Sequence, residues 1–187
     1  MLSQFFAAFP LGMVTALIQL QYAHHHQASG VSWLSIVSQV GCVAAIVGLT
    51  RITLRQGRRL ALVAGMGLML VASMLGLVSA LLDVDLLLYL VAFLLGAGLA
   101  ANWYAPFAAT DFSSKTSRAS DFSYVLSMTA IGMALGSPVV NYTYYLEQQA
   151  EIPLGVIGFT LCMLCCMVSV IILWFGLHPI ADTMQQS

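Results

Sequence analysis

The chain has 187 residues, of which 60% are apolar and 7% charged, with a net charge of −1. Its mean hydropathy is +0.94. A soluble domain carries about 25% charged residues, so this chain has too few charges to coat a water-facing globule, and lipid must be its solvent. The balanced charge gives no bulk attraction to nucleic acid.

A helical span needs about 20 apolar residues, and six such runs follow one another. The first covers about 5–22. Its start, Met1-Leu2-Ser3-Gln4-Phe5, has no basic region and no small-residue cleavage site after it. It is therefore expected to be a retained span and not a cleaved signal peptide. Next comes His24-His25-His26, in a predicted outside loop. Three consecutive histidines cannot all face one metal, and no acidic or cysteine partner is near, so a solvated loop is the simpler reading and no metal site is assigned.

The second span covers about 31–49. After it comes Arg51-Ile52-Thr53-Leu54-Arg55-Gln56-Gly57-Arg58-Arg59, which holds four of the six basic residues. A charge at the bilayer centre costs about 2.5 kcal/mol or more, so this stretch must sit in water or among headgroups. The third span is 60–82, the turn Asp83-Val84-Asp85 follows, and the fourth span is about 86–107. A second polar loop runs from Asp111 to Asp121. The fifth span is about 122–146, Glu147 to Glu151 form a turn, and the sixth is 153–177. The fold expected is all-α, a single six-span membrane domain over 1–187.

Charge placement tests that count. Arg51, Arg55, Arg58, Arg59, Lys115 and Arg118 all fall in the second and fourth loops, while Asp83, Asp85, Glu147 and Glu151 fall on the other face. Lys- and Arg-rich loops stay cytoplasmic. Both termini are then cytoplasmic, in a plasma (inner) membrane. Small residues such as Gly65, Gly67 and Gly76 in the third span, and Gly96 and Gly98 in the fourth, would let backbones approach closely.

Two stretches resemble the major facilitator superfamily. The order "apolar span, Gly48-Leu49, basic loop ending Arg55-Gln56-Gly57-Arg58-Arg59, Gly-rich span" is similar to its signature between the second and third spans, with Arg55, Gly57, Arg58 and Arg59 as the matching residues. In the fifth span, Gly132, Gly136 and Pro138 resemble its Gly-x-x-x-Gly-Pro motif, with Ser137 inserted. Leu54 stands where the family usually has an acid, part of a charge relay latching two six-helix halves together. Asn141 to Tyr145 replace the glycines that usually follow the fifth-span motif, and the fourth span lacks the arginine of many proton-coupled antiporters. The resemblance implies one half of the family fold, built of two inverted three-helix repeats, with the first and fourth helices facing a cavity. Gln19, Gln21, Asn102, Trp103 and Tyr104 are the residues it would turn toward a solute.

No Asp, Glu, Lys or Arg is expected at membrane depth, so the chain carries no ion-coupling residue of its own. A serine hydrolase fails on geometry: Ser137 lies about 20 Å of helix from the level of His178. There is no phosphate loop and no carboxylate pair, so no enzyme activity and no cofactor is assigned. The four cysteines fall inside spans, and Cys162, Cys165 and Cys166 share a helix face, which polarizable packing explains. The Tyr142 to Tyr145 cluster suits an aromatic belt. Two functions follow. The chain is a half-size transport unit that pairs with a second six-helix half, as homodimer or heteromer, to move a small solute. Alternatively, it is a non-transporting accessory subunit or assembly factor of a larger membrane complex.

Overall fold

A computed structural model of the chain describes residues 2–25, 31–82, 84–111 and 118–176. His26, Asp83, Lys115 and His178 lie outside the described residues. The elements are α1 (Leu2–His25), α2 (Val31–Gln56), α3 (Arg58–Leu82), α4 (Asp85–Asp111), α5 (Arg118–Ala150) and α6 (Val156–Gly176). There is no strand among the described residues. Each of the six is long and apolar enough to cross a membrane. In lipid every backbone polar group must be satisfied within the chain, and a helix does this residue by residue.

Helix ends differ from the expected span ends where local chemistry decides. α2 continues past Leu49 to Gln56, because Arg, Leu and Gln are good helix formers. Only Gly57 stops it, at φ 88°, with its N–H on the Thr53 carbonyl at 3.1 Å. That is a glycine closing a helix in the left-handed region. α6 starts three residues later than expected, at Val156, after a turn that includes Gly155 at φ 93°.

Two pairs of glycines set the packing, in one repeated pattern. α1 crosses α5 where a Cβ on Gly12 would overlap the Met133 carbonyl and one on Gly136 would overlap the Phe9 carbonyl. α4 crosses α2 where a Cβ on Gly96 would overlap the Ser38 carbonyl and one on Gly41 the Phe93 carbonyl. In all four, the residue met is three before the partner helix's own glycine. The third helices repeat the relation. Gly158 of α6 packs on Leu17 of α1, and Gly65 of α3 packs on Ala101 of α4. Leu17 and Ala101 each lie five residues beyond the crossing glycine of their helix. So α1–α3 and α4–α6 are two equivalent three-helix repeats of inverted direction, as the resemblance implied.

The main core joins Leu11, Met13, Val14 and Leu17 of α1 to Met69 of α3, Leu88, Val91 and Leu95 of α4, and Phe159 of α6. Within the spans, 61% of α1 and 56% of α4 are buried, against 28% of α2, 22% of α5 and 28% of α6. α1 and α4 are the axis of the bundle. α2, α5 and α6 carry its free faces.

Candidate functional site

The motif between α2 and α3 lies on helix ends and not in a loop. Arg51 and Arg55 are exposed on the last turns of α2, and Arg58 and Arg59 open α3. Arg55 at a helix C-terminus meets the negative end of the macrodipole. Thr50 ties this end to α4. Its hydroxyl donates to the Ile46 carbonyl at 2.7 Å, and the Tyr104 hydroxyl donates to it at 2.6 Å. Leu54 is 81% exposed, an apolar side chain pointing away from the bundle.

Near the same end, three helices share a buried polar cluster. Asn102 of α4 and Gln4 of α1 are both buried. Gln4 Nε2 donates to Asn102 Oδ1 and to Thr129 Oγ1 of α5, the latter at 3.3 Å. Hydrogen bonds of this kind between transmembrane helices contribute about 0.6–2 kcal/mol each. Trp103, next along α4, is 68% exposed and turned outward. Tyr104 is half-buried.

The other two expected solute contacts are elsewhere. Gln21 is buried and Gln19 half-buried toward the opposite end of α1. That end is marked by the Tyr22 and Tyr89 hydroxyls, 3.1 Å apart. Tyr89 and Asn102 are thirteen residues apart on α4, about 20 Å of helix. The five residues therefore form two separate groups. Gln21 Oε1 has no hydrogen-bond partner among the described residues, and it lies 3.6 Å from the place a Cβ on Gly155 would take.

Sequence reasoning missed the role of Glu147. It is placed in a polar turn by its neighbours, yet it is 1% exposed. Its carboxylate accepts three backbone N–H groups at the start of α6: Gly155 at 2.8 Å, Ile157 at 2.7 Å and Gly158 at 3.3 Å. The first N–H groups of a helix have no partner within it. Gly155 offers no side chain to cap them, and α6 has no acid in its first turn. Glu147 supplies the missing acceptor from the preceding helix, with its charge at the positive end of the dipole. The signal was in the sequence: a helix start without a Ser, Thr, Asp or Asn cap, and a carboxylate eight residues earlier.

Cys162 and Cys166 are fully buried on one face of α6, Cys165 is half-buried, and all four cysteines are free. Among the described residues, no three His, Cys, Asp or Glu come together to hold a metal. Tyr142 and Tyr145 are exposed, while the Tyr144 and Tyr145 hydroxyls accept from Gln148 and Gln149 at 2.7 Å.

In the fifth-span motif, Gly132 and Gly136 are buried against α1 and Pro138 is exposed. The motif thus supplies close helix contact on one side of α5. The other side of that helix presents Ser127, Ala130, Ala134, Asn141 and Tyr145, all exposed, while the Ser137 hydroxyl turns back to donate to the Gly12 carbonyl of α1 at 3.4 Å. Such a face is too polar for hydrocarbon.

No curated protein and no solved structure matches the chain. The family model for the Major Facilitator Superfamily matches residues 1–185. With that match over six spanning helices in two inverted repeats, the chain belongs to the major facilitator superfamily.

Proposed function

We propose that this chain is a half-size transport unit that pairs with a second six-helix unit and moves a small solute along the seam between them. The superfamily is one of transporters and not of enzymes, which supports the transport part. The observation that carries the pairing is the exposed face of α5. Ser127 and Asn141 sit well inside a span on the outside of the bundle. Polar side chains in a span face protein or water and not lipid. A second unit across this face gives them both.

The arginine-bearing end is cytoplasmic by the distribution of basic residues, which puts both termini inside a plasma (inner) membrane. Gln19, Trp103 and Tyr104 keep surface that a solute can reach, whereas Asn102 and Gln21 act from within the bundle. The free α5 face carries no charge from Ser123 to Tyr145, and Glu147 is committed to capping α6. Transport by this unit is therefore downhill, with no ion coupling from this chain.

Reconstitution into proteoliposomes tests this. Uptake from a panel of neutral solutes should follow the solute gradient and ignore imposed proton or sodium gradients. Uptake driven by either ion gradient would refute the uncoupled mechanism. A second reading, a non-transporting accessory subunit, is favoured by Leu54, because an exposed leucine cannot take part in the charge relay that latches paired halves. Isolation from native membranes separates the two, since an accessory role requires stable co-elution with an unrelated larger complex.

A further inference from the structure

We infer that the arginine-bearing junction between α2 and α3 holds the phosphate of an anionic phospholipid, taken from the leaflet at that end of the bundle. The site is separate from the solute seam and does not depend on transport.

Three observations carry it. First, the positive charge there has no countercharge within its own repeat. Residues 1–82 include Arg51, Arg55, Arg58 and Arg59 and not one Asp or Glu. Arg51 and Arg55 are both exposed, and neither has an ion pair or hydrogen bond among the described residues. They lie four apart on the last turns of α2, so they share one side of the helix. A guanidinium carries five N–H donors in a planar fork that matches phosphate oxygens.

Second, the two repeats differ at this junction. Glu147 lies eleven residues beyond Gly136, the crossing glycine of α5, and gives the turn into α6 an anion of its own. Eleven residues beyond Gly41, the crossing glycine of α2, stands Ile52. The first turn of α3 has no acid either. The second repeat supplies its negative charge from within, and the first leaves it to come from outside.

Third, the surroundings suit a headgroup layer better than bulk water. Leu54 is 81% exposed, between the two arginines in the chain. A leucine without protein cover gains from the acyl boundary and an arginine from phosphate. Only the headgroup layer offers both within one helical turn. Thr50, bonded to the Tyr104 hydroxyl, brings an aromatic side chain to the level of Arg51, where interfacial aromatic belts form. A free phosphate would satisfy the arginines but leave Leu54 in water, so a lipid is the occupant.

The test uses the full-length chain purified in a neutral detergent. It is titrated with phosphatidylglycerol or phosphatidylcholine of the same acyl chains, with bound lipid counted by native mass spectrometry and thermal unfolding followed in parallel. Phosphatidylglycerol should bind more tightly and raise the unfolding temperature. An arginine beside an anionic headgroup layer contributes about five-fold, so Arg51→Gln and Arg55→Gln should each weaken phosphatidylglycerol about five-fold, and the two together about twenty-five-fold. Arg51→Lys keeps the charge and should lose less than Arg51→Gln. Leu54→Asp sets a carboxylate beside both arginines and should weaken binding about as much as either single change. Without lipid, these exposed substitutions should unfold at the temperature of the unsubstituted chain, which separates lost binding from lost fold. Equal affinity for the two lipids overturns the site, as does undiminished binding by the double arginine variant. Inorganic phosphate that protects as well as phosphatidylglycerol at the same concentration shows a free-anion site and overturns the lipid.

Discussion

The two ends of the bundle bury polar side chains in different ways. At the arginine-bearing end, Gln4, Asn102 and Thr129 bond to one another across α1, α4 and α5. These are neutral groups, and they join one repeat to the other. At the far end, the Glu147 carboxylate accepts from three backbone N–H groups at the start of α6, all within the second repeat. Gln21 beside them is left with an unpartnered oxygen. The near end is a side-chain cross-link between preformed helices, worth what such bonds are worth in lipid. The far end supplies an acceptor that the backbone itself lacks, so more depends on one residue there.

The largest expected effect is at Glu147. Glu147→Leu strips three donors of a charged acceptor and should cost about 3 kcal/mol of stability in detergent unfolding. Glu147→Gln keeps an oxygen for Ile157 and Gly158 but turns an amide toward the Gly155 N–H, and should cost roughly half as much. A loss below about 1 kcal/mol for the leucine variant would mean that water caps α6 equally well, and the contrast between the ends would collapse.

Next are the crossings between the ends. Gly12→Ala places a methyl on the Met133 carbonyl, and overpacking of that kind costs about 1–3 kcal/mol. Gly67, in α3, has nothing within 4 Å of an added Cβ. Gly67→Ala should therefore gain about 0.5–1 kcal/mol from helix propensity alone. Thermal unfolding of the two variants side by side checks this, and equal shifts would refute the role given to the glycine crossings.

Asn102→Ala at the near end should cost about 1 kcal/mol, less than Glu147→Leu and at the low end of the range for Gly12→Ala. The double variant with Gln4→Ala should cost little more than the single one, because both remove the same bond. Full additivity in a double-mutant cycle would show that the Gln4–Asn102 bond carries no coupling.

How much of this was legible in the sequence differs by scale. The six spans were, because a bilayer-length apolar run has no other stable home. The arginine stretch reads as a loop but is helix up to Gln56. Charge forces those residues out of the lipid but does not stop them being helical, and only Gly57 does. The glycine crossings were anticipated as small-residue packing, but which helix each glycine would meet depends on bundle geometry that no local window contains. The site was less legible still. The resemblance points to Asn102 as a solute contact, but its partner Gln4 lies 98 residues away and has no local mark. Glu147 reads as part of a polar turn because Gln148 and Gln149 beside it are polar, and helical rotation turns it inward.

The smallest effect has the opposite sign. Gln21 is 4% exposed with an oxygen that finds no donor among the described residues, and burying an unpaired amide oxygen is unfavourable by about 1 kcal/mol or more. Met has nearly the same length, no amide, and a flexible thioether that fills irregular space. Gln21→Met should therefore leave stability unchanged or raise it by up to about 1 kcal/mol, which distinguishes it from Asn102→Ala at the near end. If Gln21→Met instead destabilises by as much as Asn102→Ala in the same unfolding assay, Gln21 Oε1 is bonded in the membrane-embedded protein. The far end would then hold a second polar cross-link, and the two ends would be alike.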